Sequence, residues 1–433
     1  MKKIEPEQNN EKNYKNGRNG IASIMQVMAS STMEHEVMYA NVDACSPFDP
    51  SYLRHTTFDK ESLHTDLGYV DMTREQNIYF QINDTDIDMI GNMFIRIDLP
   101  VLDMSYKWIN AVGNAIIKEI KILIGDYEIY KCSGNYLQIR FLTDTSGPHY
   151  VAKSAMIGYY NSKYSLNEQS RTCWIEIPFM KSAMDQQYFP LFMSKRKPLS
   201  VLVTLRSLSE LIFKDDVSTN NIGVGMRINE VTQHVYINFY KIIQNISNTK
   251  IRVSLYYDNF RLSDFERNLF NNNSSELLFT QIQETMIRFE KNQKMTSDTF
   301  KLKGNILELV IVLISDNNID NNLHFKFLPL SRINITINNI PLMNKDTDIS
   351  ANLYRLKQPH IRTPDTFVYV IPFNLSSHVT QPSGSLNFDK MTGNNKITLT
   401  RDKFVEQSCT AHILGISYNS IYLNNGSLRV QNL

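Results

Sequence analysis

The sequence contains little cysteine and tryptophan and almost no excess of either charge. Its 433 residues include four cysteines and two tryptophans, and 45 lysines and arginines balance 44 aspartates and glutamates. Because Cys45, Cys132, Cys173 and Cys409 lie far apart, we expect free thiols in a reducing compartment and no disulfide framework. The net charge of +1 offers no general attraction for nucleic acid or membranes, so no direct sequence-specific contact with nucleic acid is predicted.

The sequence also lacks a long apolar run and a secretory leader. No stretch approaches the ~18 apolar residues that a membrane-spanning helix needs. Residues 1–20 are rich in Lys, Asn and Glu and have no apolar centre, so they do not have the pattern of a signal peptide. We therefore expect no helix that crosses a membrane.

Motifs that carry catalysis or bind cofactors are missing as well. The chain contains no HExxH, GxSxG or Walker sequence, and no GxGxxG that follows a strand. Its nine histidines are dispersed, and the series Asp84, Asp86 and Asp88 lacks the later glycine and glutamate of a calcium loop. We expect no catalytic residue, no cofactor and no metal ion. A catalytic pair of carboxylates that are distant in the sequence but close in the fold, as in a glycan-processing enzyme, is the kind of site that a motif search does not detect.

What the sequence does contain is a strong strand pattern in its first half. Isoleucines recur on alternate positions over Ile116–Ile124 with lysines between them, which is typical of a half-buried strand. Gly125 and Asp126 supply a tight turn, and the alternation resumes from Tyr127. The residues from Ser133 offer a helix N-cap, so a short helix is predicted over Tyr136–Leu142.

The same order of elements recurs in the second half, over Arg332–Arg355. Isoleucines alternate from Ile333 to Ile337, Asn338 and Asn339 turn the chain, and a second apolar strand follows to Leu342. A repeat at half the chain length indicates a duplicated domain, because the repeats of a solenoid are only ~20–50 residues long.

Further short strands with turn-rich connections fill both halves, so the predicted class is all-β. Helical material is sparse, with one further helix predicted from Asp264 to Phe270 behind a capping box at Ser263, and residues 150–167 read as a polar loop. The run Ile306–Ile314 is nearly all apolar, as expected of a strand buried on both faces. The other strand candidates are Asn77–Ile82, Met93–Leu99, Thr172–Phe179, Leu199–Leu205, His234–Ile243, Ile251–Phe260, Phe367–Ile371, Ile397–Thr400, Ala411–Ser417, Ile421–Leu423 and Leu428–Val430.

Four ranges follow from these patterns. Residues 1–40 form an N-terminal arm that is polar at first and then Met-rich, and residues 41–215 form the first β domain. Residues 216–245 are the linker or boundary segment, and residues 246–433 form the second β domain.

Four stretches, in the same order, resemble the major capsid proteins of nucleocytoplasmic large DNA viruses, the double jelly-roll family. They are SYLRHTTFDKES (Ser51–Ser62), FIRIDLP (Phe94–Pro100) with the isoleucine-rich hairpin that follows it, VSLYYDNFRLSDFERNLF (Val253–Phe270) and QPSGSLNFD (Gln381–Asp389). The resemblance implies two consecutive eight-stranded antiparallel jelly rolls with short helices in the loops, and it implies no catalytic residue.

The resemblance also implies a structural function. It predicts a homotrimer with a pseudo-hexagonal outline that tiles an icosahedral shell, in a virion assembled in the host cytoplasm. The implied partners are further copies of the chain, neighbouring capsomers, minor capsid and penton proteins, and an inner membrane layer. Two alternatives stay open: a double jelly-roll scaffold or minor capsid paralogue that shapes the viral membrane, and a glycan-binding or glycan-processing double β-sandwich.

Seven residues of the matching stretches are candidates for assembly contacts. In the QPSG stretch, proline fixes φ and glycine permits a turn, so the loop has a defined shape. It serves either to close a loop inside one subunit or to contact a neighbouring subunit. The seven candidates are Arg54, His55, Phe58, Gln381, Pro382, Ser383 and Gly384.

Overall fold

A computed structural model describes most of the chain from residue 56 onward. The described residues are 56–82, 87–102, 106–145, 147–159, 172–181, 187–194, 197–214, 250–272, 275–299, 302–346, 366–375, 382–390, 395–424 and 427–432. Residues 1–57 and 58–433 form two separate units, and the description below concerns the second unit.

The first half is built from strands with three short helices between them. The strands are β1 (Phe58–Asp71), β2 (Gln76–Ile82), β3 (Met89–Asp98), β4 (Tyr106–Trp108), β5 (Ile117–Ile124), β6 (Tyr127–Ser133), β7 (Thr172–Ile177), β8 (Phe189–Pro190), β9 (Leu199–Leu205), β10 (Ile212–Lys214) and β11 (Lys250–Leu262). The helices are α1 (Val112–Ile116), α2 (Gly134–Asp144) and α3 (Gly147–Ile157), and two 3-10 turns lie at Leu191–Ser194 and Leu208–Glu210.

The second half repeats this composition. Its strands are β12 (Ser275–Phe289), β13 (Met295–Thr299), β14 (Asn305–Ser315), β15 (Arg332–Ile337), β16 (Ile340–Asp346), β17 (Tyr369–Pro372), β18 (Leu386–Asn387), β19 (Lys396–Thr400), β20 (Cys409–Asn424) and β21 (Ser427–Asn432). Helix α4 (Asp264–Asn272) precedes β12, and α5 (Asp316–Asp320) follows β14.

Each half contains two antiparallel sheets, and the order of strands is the same in both halves. The first half has the sheets β1-β11-β3-β7 and β2-β9-β5-β6, and the second half has β12-β20-β14-β17 and β13-β19-β15-β16. We call these pairs of sheets the first roll and the second roll. Each strand of these two sheets in the first roll therefore has a counterpart at the same place in the second roll, so that β1 corresponds to β12 and β6 to β16. This correspondence confirms the predicted duplication.

The sheets also carry short additional strands. Strand β8 pairs with β3, β18 with β14 and β21 with β20, while β4 and β10 form a separate pair. The predicted count of eight strands in each roll therefore stays a prediction, whereas the all-β class with short helices is confirmed.

Strand β11 lies at a position that the sequence did not indicate. It was expected to open the second domain, within 246–433, but it pairs with β1 on one side and with β3 on the other. These partners lie far away in the sequence, since Ser62 and Asp258 are 196 residues apart. Because β11 completes a sheet of the first roll, the strands of the second roll begin with β12.

The local predictions are confirmed where a turn or a cap fixes them. Gly125 (φ 58°) turns the chain between β5 and β6, and Asn338 (φ 51°) and Asn339 (φ 64°) turn it between β15 and β16. The N–H of Tyr136 donates to Ser133 Oγ at 3.3 Å, and that of Glu266 donates to Ser263 Oγ at 3.4 Å, so both predicted caps form.

Two local predictions are wrong. The segment expected to be a polar loop from residue 150 begins within α3, because Ala152, Ala155 and Met156 have high helix propensity. The two strands predicted over 411–417 and 421–423 are one strand, β20, which pairs with β12 without interruption.

Gly134 is required where α2 passes beside α1 and β5. A Cβ atom at this position would lie 2.1 Å from the carbonyl oxygen of Ile117 and 2.5 Å from that of Asn114. No side chain fits at such distances, so the glycine is what allows the helix to start directly after β6.

Replacement of Gly134 by alanine tests this close approach. We expect it to lower the free energy of unfolding by about 1–3 kcal/mol or more, because the backbone must move apart. Denaturant unfolding followed by circular dichroism measures the loss. The control is Gly68→Ala, where a methyl group meets nothing within 4 Å and only the positive φ of 77° costs about 1 kcal/mol. Equal losses for the two variants would contradict the steric explanation.

Candidate assembly surfaces

The β12-β20-β14-β17 sheet is buried on both of its faces at β14, whose burial is nearly complete along its length. Alternate residues of β14 belong to two different hydrophobic clusters, as expected of a strand with apolar side chains in both directions. Leu309, Ile311 and Leu313 pack in the core of the second roll, whereas Val310, Val312 and Ile314 join the core of the first roll. The predicted strand buried on both faces is thus confirmed, and its second face is the contact between the rolls.

Aromatic rings continue this contact at one side of the sheet. Tyr130 on β6 lies 5.7 Å from Phe179, measured between ring centroids, and Phe179 lies 6.3 Å from Phe279 on β12. Tyr130 and Phe279 are at most 1% exposed. The β6 side of the first roll therefore packs against the β12 side of the second.

Two polar side chains that follow α5 in the chain, Asn322 and His324, form a second, polar contact between the rolls. The side-chain amide of Asn322 donates hydrogen bonds of 2.8 Å to the carbonyl oxygens of Ser209 and Ile212. His324 Nε2 lies 2.9 Å from the carbonyl oxygen of Glu210. Asn322 is buried and has a φ of 59°, which asparagine tolerates better than most residues. This contact could not be predicted from the sequence, because the partners of both side chains are backbone atoms.

Replacement of Asn322 by aspartate tests the polar contact between the rolls. A carboxylate has nearly the same shape but cannot donate, and it would face two carbonyl oxygens in a buried place. We expect a loss of about 3 kcal/mol in the free energy of unfolding. Thermal unfolding compares it with the neighbouring Asn321→Asp, whose amide donates to Asn317 Oδ1 at 3.1 Å within the same turn, and for which a loss below about 1 kcal/mol is expected. A larger loss for Asn321→Asp would rule out this account.

A carboxylate surrounded by cations lies at the β7 edge of the first roll. Glu176 accepts hydrogen bonds from Lys181 and, at 2.9 Å, from Lys153 of α3. Burial alone would raise its pKa, but the charges of Lys181, Lys153 and Arg140 together outweigh burial and lower the pKa of Glu176 from 4.5 to about 2. Arg140 also donates to the carbonyl oxygens of Pro178 and Lys181, so the network fixes the segment that carries Phe179.

The lowered pKa of Glu176 predicts a loss of stability in acid. Its contribution is complete above about pH 4.5, the value for the unfolded chain, and disappears as the pH falls towards about 2. We expect Glu176→Gln to lose up to about 3 kcal/mol of stability at pH 7 and to show a flatter decline between these limits. Denaturant unfolding across this range measures both effects. Glu128→Gln, at a more exposed carboxylate on β6, is the control, and a decline identical to wild type in Glu176→Gln would refute the assignment.

Asp88 joins β3, β11 and α4. Its carboxylate accepts hydrogen bonds of 2.7 Å from Arg267 Nη2 and of 2.8 Å from the N–H of Leu262, and the Asp88 side chain is only 6% exposed. Asp84 and Asp86 of the same acidic series lie outside the described residues. The Asp88 carboxylate thus stabilises the turn between β11 and α4, because it contacts Leu262 at the end of the strand and Arg267 in the helix.

Of the seven predicted assembly residues, four lie in the described part of the chain. Phe58 begins β1, opposite Leu262, and its ring lies 5.9 Å from that of Phe260. It is 57% exposed. Arg54, His55 and Gln381 lie outside the described residues.

The other three, Pro382, Ser383 and Gly384, form the loop before β18. Pro382 and Gly384 line an open groove of about 490 Å³, whose other walls include Glu276 of β12 and Tyr418 of β20. Gly384 has a φ of 137°, and a Cβ atom there would lie 3.2 Å from the carbonyl oxygen of Phe373. The loop is thus fixed to its own subunit and also open to solvent, so both of its predicted roles stay predictions.

Groups with reactive chemistry are buried or scattered within the described ranges. Burial raises the pKa of the Cys132 and Cys173 thiols to about 12, which keeps them protonated. Cys45 lies outside the described residues. No cluster of three or more His, Cys, Asp or Glu side chains able to hold a metal occurs in the part of the chain that the structure describes. No helix in that part is long and apolar enough to cross a membrane.

Comparison with known proteins identifies related sequences. Residues 46–260 match the family model for the N-terminus of the major capsid protein. Capsid protein 1 of Acanthamoeba polyphaga mimivirus is 22% identical over 214 residues, which cover 44% of this chain and 35% of that protein. The match therefore spans about a third of the length of the curated relative.

Solved structures show the same fold along almost the whole chain. The capsid protein in the PBCV-1 virus capsid has a TM-score of 0.69 at 15% identity, with 89% of this chain and 99% of that chain covered. The Faustovirus major capsid protein has a TM-score of 0.69 at 9% identity, with 96% and 98% covered. The capsid protein of the Sputnik virophage has a TM-score of 0.53 at 10% identity, with 90% and 91% covered. These likenesses confirm the predicted double jelly roll.

Proposed function

We propose, on the premise that this chain belongs to the major capsid protein family of the large DNA viruses, that it is a structural subunit of a viral shell. The observation that carries the proposal is the duplicated order of sheets within one compact unit. Two like rolls held side by side give one subunit two equivalent positions in a ring.

Three subunits then supply six rolls, which is the number that a near-hexagonal tile requires. Closed rings with threefold symmetry need only one kind of contact between subunits, made head to tail. We infer a homotrimer of this kind, and an icosahedral shell formed by its packing against neighbouring trimers. This role uses no catalytic residue.

The finer parts of the assembly are also proposals. Neighbouring capsomers, minor capsid and penton proteins and an inner membrane layer are the partners, and assembly takes place in the host cytoplasm before the protein enters the virion. The arm at 1–40 ties subunits to one another or to the layer beneath. We propose the boundary between the rolls at α4, between β11 and β12, rather than within 216–245.

The purified protein tests the proposed function directly. We expect native mass spectrometry to show trimers of the 50.2 kDa chain and electron microscopy to show particles with a six-sided outline. A stable monomer at high concentration would overturn the proposal. Detection of the protein in purified mature particles separates the shell subunit from a scaffold that is later shed, since the scaffold would be absent from them.

A further inference from the structure

The turn that follows β7 brings a lysine to a carboxylate and a carboxamide. Lys181 Nζ contacts Oε1 of Glu176 on β7 and lies 3.3 Å from Oδ1 of Asn92 on β3. The side chains of Lys181 and Glu176 are 27% and 21% exposed, so the three groups meet where water has little access. An amine as nucleophile, an amide as its target and a carboxylate as base are the groups that an amide exchange requires.

The backbone of Lys181 is fixed in this position. Met180, directly before it, has a φ of 55°, which is uncommon for a residue other than glycine. Arg140 of α2 donates hydrogen bonds to the carbonyl oxygens of Pro178 and Lys181, the latter at 3.1 Å. A backbone in this region persists only where the surrounding contacts determine it, and such residues are concentrated at functional sites. The amine is therefore held beside the amide by the fold of the turn.

The Asn92 amide is held from both of its ends. Oδ1 faces Lys181, and Nδ2 donates to Oδ2 of Asp258 on β11 at 3.3 Å. Asp258 lies at a break in the register between β11 and β3. Since Oδ1 is bonded to Cγ, the lysine nitrogen is already close to the distance of about 3–3.5 Å from which two atoms react. The amide nitrogen on the other side of Cγ points to a carboxylate that can hold it as it leaves.

The charges around Glu176 permit the loss of one cation. Lys153 pairs with Oε2 at 2.9 Å, and Arg140 is a third cation nearby. Burial raises the pKa of Glu176, but the charges of the three cations lower it to about 2. The carboxylate is therefore ionised at neutral pH and can accept a proton, although as a weak base. Lys153 and Arg140 remain as its partners when Lys181 gives up its charge, so no shielded carboxylate is left unpaired.

We propose that Lys181 and Asn92 become joined by an isopeptide bond within one chain, with Glu176 as the base. Glu176 takes a proton from the lysine ammonium group, and the neutral amine attacks Cγ of Asn92, so that a bond between Nζ and Cγ forms. The bond between Cγ and Nδ2 then breaks, and the two protons that Nζ gives up pass by way of Glu176 to Nδ2, which leaves as an ammonium ion. One ammonium group and one carboxamide thus give one secondary amide and one ammonium ion, without any further reactant.

The bond links β3 to the turn after its neighbour β7, at positions 89 residues apart in the sequence. A covalent link across such a loop removes conformational freedom from the unfolded chain and thereby stabilises the folded one. Because the ammonium ion is lost to the solvent, each chain needs to react only once, and a slow reaction with a weak base suffices. The inference is independent of the proposed shell function, since all the reacting groups belong to one chain.

The intact mass of the full-length chain under denaturing conditions tests the bond. Wild-type protein, incubated until its mass no longer changes, is expected to be lighter than its sequence by one molecule of ammonia. Tandem mass spectrometry of a tryptic digest is expected to identify a branched peptide that joins Lys181 to Asn92. Lys181→Arg retains the charge but has no primary amine, and it is expected to keep its full mass. A wild-type chain that keeps its full mass would overturn the inference.

The matched control is Lys153→Arg, since Lys153 pairs with the other oxygen of the same carboxylate. This variant is expected to lose ammonia and to give the same branched peptide as the wild type. Loss of ammonia that persists in Lys181→Arg, or a branch that starts from a different lysine, would rule out the assigned pair.

A time course of the mass change after refolding tests the role of Glu176. We expect Glu176→Gln to slow the formation of the bond about tenfold or more, because a carboxamide of the same shape cannot carry the proton. Glu128→Gln, at the more exposed carboxylate on β6, is expected to react at the wild-type rate. Circular dichroism checks that both variants fold. An unchanged rate in folded Glu176→Gln would refute its role as the base, and the wild-type mass decides the bond itself even where this variant does not fold.

Discussion

The structure depends on one strand, β14, whose side chains are buried on both faces of its sheet. Because β14 and its neighbours must be apolar in both directions, they hold the core of the second roll together on one side and bind the first roll on the other. Each apolar side chain buried in such a place contributes about 1.5–3 kcal/mol relative to exposure. Separating the rolls would expose Val310, Val312 and Ile314 together, so the two rolls of one chain behave as one unit.

The polar groups at this contact specify position rather than provide the main attraction. Asn322 and His324 satisfy backbone carbonyl groups that would otherwise be buried without donors, and each hydrogen bond of this kind contributes only about 1 kcal/mol net. Any other packing of the rolls would leave those buried carbonyl groups without donors. The free energy lost in that case favours the observed arrangement. Apolar burial thus supplies the energy, and a few hydrogen bonds select one arrangement.

The sequence predicts the parts of this fold that depend on nearby residues. Isoleucine alternation, the turns at Gly125 and Asn338 and the cap at Ser133 act within a few residues, so the hairpins and helix starts could be predicted. Long-range pairing could not. Strand β1 is exposed along most of its length and has no apolar alternation, and β11 reveals its partners only through contacts almost 200 residues away. The ion pair between Asp88 and Arg267 was missed for the same reason.

The outer faces of the two corresponding sheets differ in chemistry because only one of them is covered within the chain. The outer face of β12-β20-β14-β17 packs at its centre against the first roll and is apolar there, whereas that of β1-β11-β3-β7 is half exposed and carries aromatic rings and paired charges. Among the described strands, β1 lies at the edge of its sheet, and an exposed edge strand invites indiscriminate pairing. A break in register between Asp66 and Tyr69, with Gly68 at a φ of 77°, and the successive charges Asp59, Lys60 and Glu61 oppose such pairing.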